Sequence, residues 1–413
     1  MRKMKDSGIE WIGEIPEGWE VGQIGQLYSE RRTKVSDKDY PPLSVTMKGI
    51  LPQLSTAAKT DAHDDRKLVC KGDFAINSRS DRRGSCGISE QDGSISLINT
   101  VLKPRGEMNP GYYNWLFHTS MFADEFYKCG HGIVDDLWTT GWSDMKKIGV
   151  PVPSKCEQKQ LAEHLNVECS HIDSILSKTC SSIEEYKKLK QSVITQAVTK
   201  TIYDDFGNPS KFRKLRSLCD VLSKGTTPKD IETQNDEFYC IRYLKSENIV
   251  SNQLNLNPTF FITAETNNSL ERSKLNSGDI LFVIAGASIG KVAITTADFL
   301  PANTNQAVAF IRLSSSYQYA TKYIWYFLQS DVVKQLIALS AVQSAQPNLS
   351  LEDLGAMRLP LPDQMGCLKI TDYLDAKCAE IDGLIVKKEQ LVKELESYKK
   401  SLIYEVVTGK REV

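Results

Sequence analysis

The ten cysteines of this 413-residue chain form no Cys-x-x-Cys pair. That spacing is the one a zinc ribbon or a thiol redox motif would use, so free, reduced thiols are expected. Long apolar runs are missing as well. The stretch Ile280–Ala287 is far too short for a membrane span of roughly 20 residues. The start, MRKMKDSGIEWIGEIPEGW, is basic but has no apolar centre, so it is not read as a secretion signal. Neither sign of charge is in excess: 51 Lys+Arg stand against 52 Asp+Glu, a formal net charge of −1. A polyanion gripped by this chain alone would call for a basic excess. Any such contact must therefore come from local patches, or be shared with partner subunits. The expectation is a soluble, cytoplasmic protein with no membrane partner.

Helix breakers are scarce in two places. No proline or glycine lies between Pro153 and Gly207, and only Gly383 lies between Gly366 and Gly409. The two stretches are copies. A shift of 209 positions pairs Pro151 with Pro360, Cys169 with Cys378, Asp173 with Asp382 and Thr199 with Thr408. The hexapeptides HIDSIL and EIDGLI mark its centre. Apolar residues recur at heptad spacing. Leu165, Ile172, Tyr186 and Val193 form one column of the first copy, with Ile175 and Leu189 in the other. The second copy offers Leu374, Ile381, Leu395 and Leu402, with Leu384, Leu391 and Tyr398. A single apolar stripe needs a partner, and the nearest partner is the other copy. Forty helical residues would extend roughly 60 Å.

The segments before the helices also match, more weakly. KGDFAINSRSDRRGSCGI (71–88) aligns with SGDILFVIAGASIGKVAI (277–294), keeping the Gly-Asp pair. YYNWLFHTS parallels YIWYFLQS. Short β-like runs alternate with turns and short helices. The expected fold class is α+β: two mixed α/β domains, joined and separated by two long antiparallel coiled-coil helices in a pseudo-two-fold repeat. The expected boundaries are 1–153, 154–205, 206–362 and 363–413. The frames match, whereas the polar loops differ.

Catalytic motifs fail on spacing. GASIGKV (286–292) has glycines four apart and Val292 after the lysine, so it lacks the requirements of a phosphate-binding P-loop and reads as a turn between strands. Pro362-Asp363 with Asp375 and Lys377 only loosely resembles a metal-dependent nuclease pattern, without a converging carboxylate cluster. No Asn/Asp-Pro-Pro-aromatic motif is present, since Asn109-Pro110, Asn208-Pro209 and Asn257-Pro258 continue with Gly, Ser and Thr. His164 and His171 lie seven apart, without the four-residue spacing of a helical zinc pair.

The opening DSGIEWIGEIPEGWE, the VPVP and LPLP segments before the helices, the KGTTPK loop and PLSVT resemble the specificity subunit of type I restriction–modification systems. The resemblance covers essentially the whole chain. It implies a non-catalytic protein whose two target-recognition domains each read half of a bipartite, asymmetric double-stranded DNA target. It also implies helices that set the spacing and bind two modification (adenine methyltransferase) subunits. Restriction subunits join the full complex, and S-adenosylmethionine, Mg and ATP sit on those partners, with no cofactor or metal on this chain. A reader for a fused methylase–nuclease system and a coiled-coil scaffold for protein partners are the alternatives. The first domain departs from the second by carrying NSRSDRRG where the second has VIAGASIG.

Base edges are read mainly by Arg, Lys, Asn and Gln, and phosphates are held by Lys, Arg, Ser and Thr. Candidates in the first domain are Arg31, Arg32, Lys34, Lys48, Arg79, Arg82 and Arg83. The run from Arg79 to Arg83 stands out, because clustered like charges repel unless a polyanion is near. In the second domain the candidates are Lys224, Thr226, Thr227, Lys229, Arg242, Tyr243, Asn303, Asn305, Gln306, Gln343, Ser344 and Gln346.

Overall fold

The structure, a computed structural model, describes residues 2–53, 64–79, 82–132, 138–199, 211–341 and 348–413. The chain divides into two compact units: Met1–Cys180 with Gln390–Val413, and Ser181–Glu389. Each long helix, Lys155–Thr199 and Gln364–Val407, contributes residues to both units.

In the first unit, β1 (Tyr28–Glu30), β2 (Phe74–Asn77), β3 (Cys86–Ile88) and β4 (Asn99–Pro104) form an antiparallel sheet in the order β3-β2-β4-β1. Every β2 residue is buried, and strand alternation sorts them. Phe74 and Ile76 enter a large aromatic core with Tyr112, Tyr113 and Phe117 of α1 (Pro110–Phe117) and Phe122 of α2 (Ser120–Lys128). Ala75 instead joins a smaller core with Leu43, Val69, Ile95 and Val101. The large core also takes Leu165 and Ile172 of α3 (Lys155–Thr199) and, from the far end of the chain, Leu402 and Val406.

In the second unit the main strands are β5 (Cys219–Lys224), β6 (Tyr239–Leu244), β7 (Ile280–Val283), β8 (Val292–Ile294), β9 (Ala302–Thr304) and β10 (Val308–Leu313). The order β5-β10-β7-β8 repeats the topology of the first sheet. Ile311 lies opposite Ile280 as Leu102 lies opposite Phe74. Ile280 and Phe282 join a core with Tyr323 and Phe327 of α4 (Thr321–Leu328), whereas Leu281 and Val283 join another with Leu244 and the neighbouring-strand residue Phe310. The helix α5 (Asp331–Ala341) follows, and the last long helix is α6 (Gln364–Val407). The outer sheets diverge. Gly93–Ser96, Arg66–Val69 and Lys34–Val35 pair antiparallel throughout, whereas β6 and β9 pair in parallel.

Local chemistry starts both long helices. Ser154 Oγ accepts the Glu157 N–H at 3.3 Å, and Asp363 Oδ1 accepts the Gly366 N–H at 2.8 Å. Equivalent bonds anchor them in each unit. Tyr112 donates its hydroxyl to the Val407 carbonyl (2.6 Å), and Tyr323 donates to that of Val198 (3.2 Å). Lys399 reaches Asp173 and Lys190 reaches Asp382, each at 2.6 Å. These two ion pairs are the same pair under the 209-residue shift.

The expected seam needs one correction. Leu165, Ile172, Leu374, Ile381 and Leu402 are buried, with Val193, Leu384 and Leu395 half-buried. Ile175, Leu189 and Leu391 are 47, 49 and 41 % exposed. The second column instead runs through Cys169, Leu176 and Ile183, and through Cys378, Ile385 and Val392. From Ile172, a step of three reaches Ile175 and a step of four reaches Leu176, on opposite flanks of the helix. The partner helix lies on the four-step flank.

Candidate nucleic-acid interface

The Gly-Asp turn that opens β2 and β7 is the frame on which the loops hang. Gly72 and Gly278 both sit at φ +87°, in the left-handed region that favours glycine. The aspartates that follow are buried, and each holds an arginine fork. Arg31 donates Nε to Asp73 Oδ2 (2.6 Å) and Nη2 to Oδ1 (3.1 Å). Arg312 donates Nε to Asp279 Oδ1 (2.8 Å) and Nη2 to Oδ2 (2.7 Å). The carboxylates also accept the N–H groups of Cys70 and Asn276. Hydrogen bonding to its aspartate raises each guanidinium above its ordinary pKa. Arg31 is thus committed to the frame, and the Gly-Asp pair was the signal that could have shown it.

Beyond that turn the first unit is a surface of matched charges. Arg32 reaches Glu30 and Lys34 reaches Asp65, each at 2.6 Å. Lys48 is exposed on the hairpin turn between Thr46 and Gly49, where Thr46 Oγ1 accepts its N–H at 3.1 Å. The loop joining β2 to β3 carries exposed Arg79, Arg82 and Arg83. Arg79 is tied at the backbone, its N–H donating to Asn77 Oδ1 (3.0 Å) and its strand bridging to Thr139. Arg83 pairs with Asp124 at 3.1 Å and lies over the Tyr127 ring, 3.8 Å from its centroid. Arg79 and Arg83 meet at a cavity of about 10 Å³, walled by Tyr127 and Trp138. Asp124 and the Tyr127 face therefore relieve part of the repulsion expected within this run.

The second unit assembles its loops by neutral hydrogen bonds. The 224–228 loop is bonded to the end of β9 and the start of β10: Gly225 N donates to Val308 O (3.2 Å) and Thr226 N to Thr304 O (3.1 Å). A Cβ on Gly225 would stand 1.8 Å from Thr304 O, so only glycine fits. Thr227 Oγ1 donates to Gln306 Oε1. Lys224, Thr226, Thr227, Lys229 and Gln306 are exposed around this junction. Three other candidates lie beneath it or beside it. Tyr243 is fully buried, which raises its phenol above the ordinary value, and it donates to the Thr226 carbonyl at 2.8 Å. Asn303 is buried and donates to Asn267 Oδ1 (3.0 Å) and Leu270 O (3.2 Å). Arg242 is half-buried and donates to the Asp298 carbonyl at 2.8 Å. Asn305 keeps a buried Oδ1 without a partner among the described residues. Gln343, Ser344 and Gln346 lie outside the described residues.

The stretch 283–291 is a tight hairpin turn with Gly286 and Gly290 at φ +87° and +89°. Asp375, from the loose nuclease pattern, accepts from Tyr326 at 2.8 Å and from Lys322. Among the described residues, no group of three His, Cys, Asp or Glu side chains could hold a metal ion. None of their helices is long and apolar enough to cross a membrane.

Residues 208–391 match the family model of the type I restriction modification DNA specificity domain. Over 96 % of its length the chain is 24 % identical to the type I restriction enzyme MjaVIII specificity subunit of Methanocaldococcus jannaschii, of which 93 % is covered. It is 28 % identical to the EcoBI specificity subunit of Escherichia coli over 52 % of this chain and 48 % of that one. A solved chain from work on complex assembly and conformational transition of the type I R-M system shares the fold. Its TM-score is 0.74 at 12 % identity, with 95 % of this chain and 98 % of that one covered. The HsdS subunit from Thermoanaerobacter tengcongensis shares it at 0.54 and 15 % identity, covering 96 and 98 %.

Proposed function

We propose that the chain is a specificity subunit of a type I restriction–modification system, as its family match and relatives support, and that its two units read the two unlike halves of one bipartite DNA target. Its part in such a system is specificity, not catalysis. One observation carries the reading of two unlike halves: the same sheet and hairpin occur twice with different tips. Arg79, Arg82 and Arg83 stand where the second unit has Ala285, Ser288 and Ile289. A repeated frame keeps the geometry of approach, while exchanged side chains change which base edges or phosphates are contacted.

In this proposal α3 and α6 set the unread interval and carry the docking surfaces for two modification subunits. Restriction subunits join that core in the cytoplasm. S-adenosylmethionine, Mg²⁺ and ATP belong to those partners. The near-neutral charge of the chain fits phosphate contacts that are shared with partners. Co-expression with the modification partner, followed by genome-wide mapping of methylated adenines, tests the reading. A two-part motif with one fixed gap is expected; methylation with no such motif overturns it.

A further inference from the structure

Removing one oxygen atom from the buried interior of the second unit distinguishes a packing residue from one that sets a reading surface. Tyr243 lies on β6, directly beside Asn303 of the parallel strand β9, and its ring is fully buried. Its hydroxyl leaves the core at one point, where it donates to the Thr226 carbonyl at 2.8 Å. The next residue, Thr227, donates to Gln306, two positions beyond the end of β9. Thr304 Oγ1 closes the network from below by donating to the Leu244 carbonyl at 2.8 Å. One phenol, two hydroxyls and one amide thus tie two loops and two strands into a single junction. Its outward parts are Thr226, Thr227 and Gln306.

Among the described residues, the first unit shows no counterpart. Leu102 takes the place of Ile311 in the shared register, so Ser96 and Leu97 stand where Asn305 and Gln306 stand. The molecule therefore contains its own control.

We propose that Tyr243 is a positioning residue for sequence reading by the second unit, holding the 226–227 loop against Gln306 so that both meet DNA as one pre-set surface. The proposal rests on the function proposed above. Polar groups discriminate bases only when their directions are fixed beforehand, because a mobile donor can satisfy several acceptors. Tyr243→Phe keeps the buried ring and removes the hydroxyl, with its bond to the Thr226 carbonyl and its contact with the Thr227 side chain. Thr227→Val alters an exposed side chain of the same junction without touching the core.

The test uses full-length variants with their modification partners, with methylated adenines mapped genome-wide. Gln306→Ala identifies which half-site the second unit reads. Tyr243→Phe and Thr227→Val should each relax that half-site, with a roughly three- to tenfold loss of preference at one or two positions, as expected for the removal of one hydrogen bond. The other half-site and the gap should stay unchanged. Unaltered preference in Tyr243→Phe, an equal decline of both half-sites, or relaxation of different half-sites by the two variants would each overturn the proposal. Absence of a two-part motif with the wild-type chain would instead remove the underlying reading, so the two failures are distinguishable.

Discussion

The loops 77–85 and 283–291 connect equivalent strands in the two units, yet one carries three arginines and the other Ala285, Ser288 and Ile289. Their backbones are handled alike. Ser78 O accepts the Thr140 N–H at 2.9 Å, and Ile284 O accepts the Leu349 N–H at 2.8 Å. What differs is how each unit fixes its polar groups. The first matches cations to carboxylates: Arg32 to Glu30, Lys34 to Asp65 and Arg83 to Asp124. The second uses a neutral network from Tyr243 to Gln306. Exposed ion pairs exchange partners at little cost, so in the proposed reading the first surface hands its cations to phosphates. The neutral junction of the second favours fixed directions over charge.

The largest effects should come from what the units share. Asp73→Ala and Asp279→Ala each strand a half-buried arginine fork and should each destabilise by about 1–3 kcal/mol. Hydrogen exchange on the full-length chain should show protection lost mainly in the unit that carries the change. A clear inequality between the two would break the equivalence of the frames. A smaller effect separates the surfaces. Arg79→Ala with Arg83→Ala should make the log–log salt dependence of DNA binding by the assembled complex shallower, by roughly one for each phosphate no longer neutralised. An unchanged slope would show that these arginines do not neutralise phosphates. The smallest effect tests the helices. Lys190→Ala and Lys399→Ala should each cost about 0–1 kcal/mol in denaturant unfolding, because both pairs are partly exposed. Unequal costs would show that the repeat is closer in sequence than in energetics.

Much of this architecture is legible in the sequence. The 209-residue echo reveals the duplication, and the missing prolines and glycines reveal the two helices. One column of the seam follows from Leu165 and Ile172. The other column does not, because steps of three and four residues fit the same heptad, and only packing against the partner helix chooses Leu176 over Ile175. Arg31 and Tyr243 show the same limit at the candidate interface. Each residue type suits DNA binding, yet one is held by an aspartate 42 positions away and the other lies within the core.

The sequence by itself determined the repeat, the helical stretches and the buried strands, since each follows from short-range spacing and the removal of apolar surface from water. Tertiary structure alone decided how the polar groups pair. Lys190 meets Asp382, and Thr227 meets Gln306, across long sequence separations. Hydrogen bonds and ion pairs depend on direction and distances of a few ångströms, which the folded backbone sets and the local sequence does not.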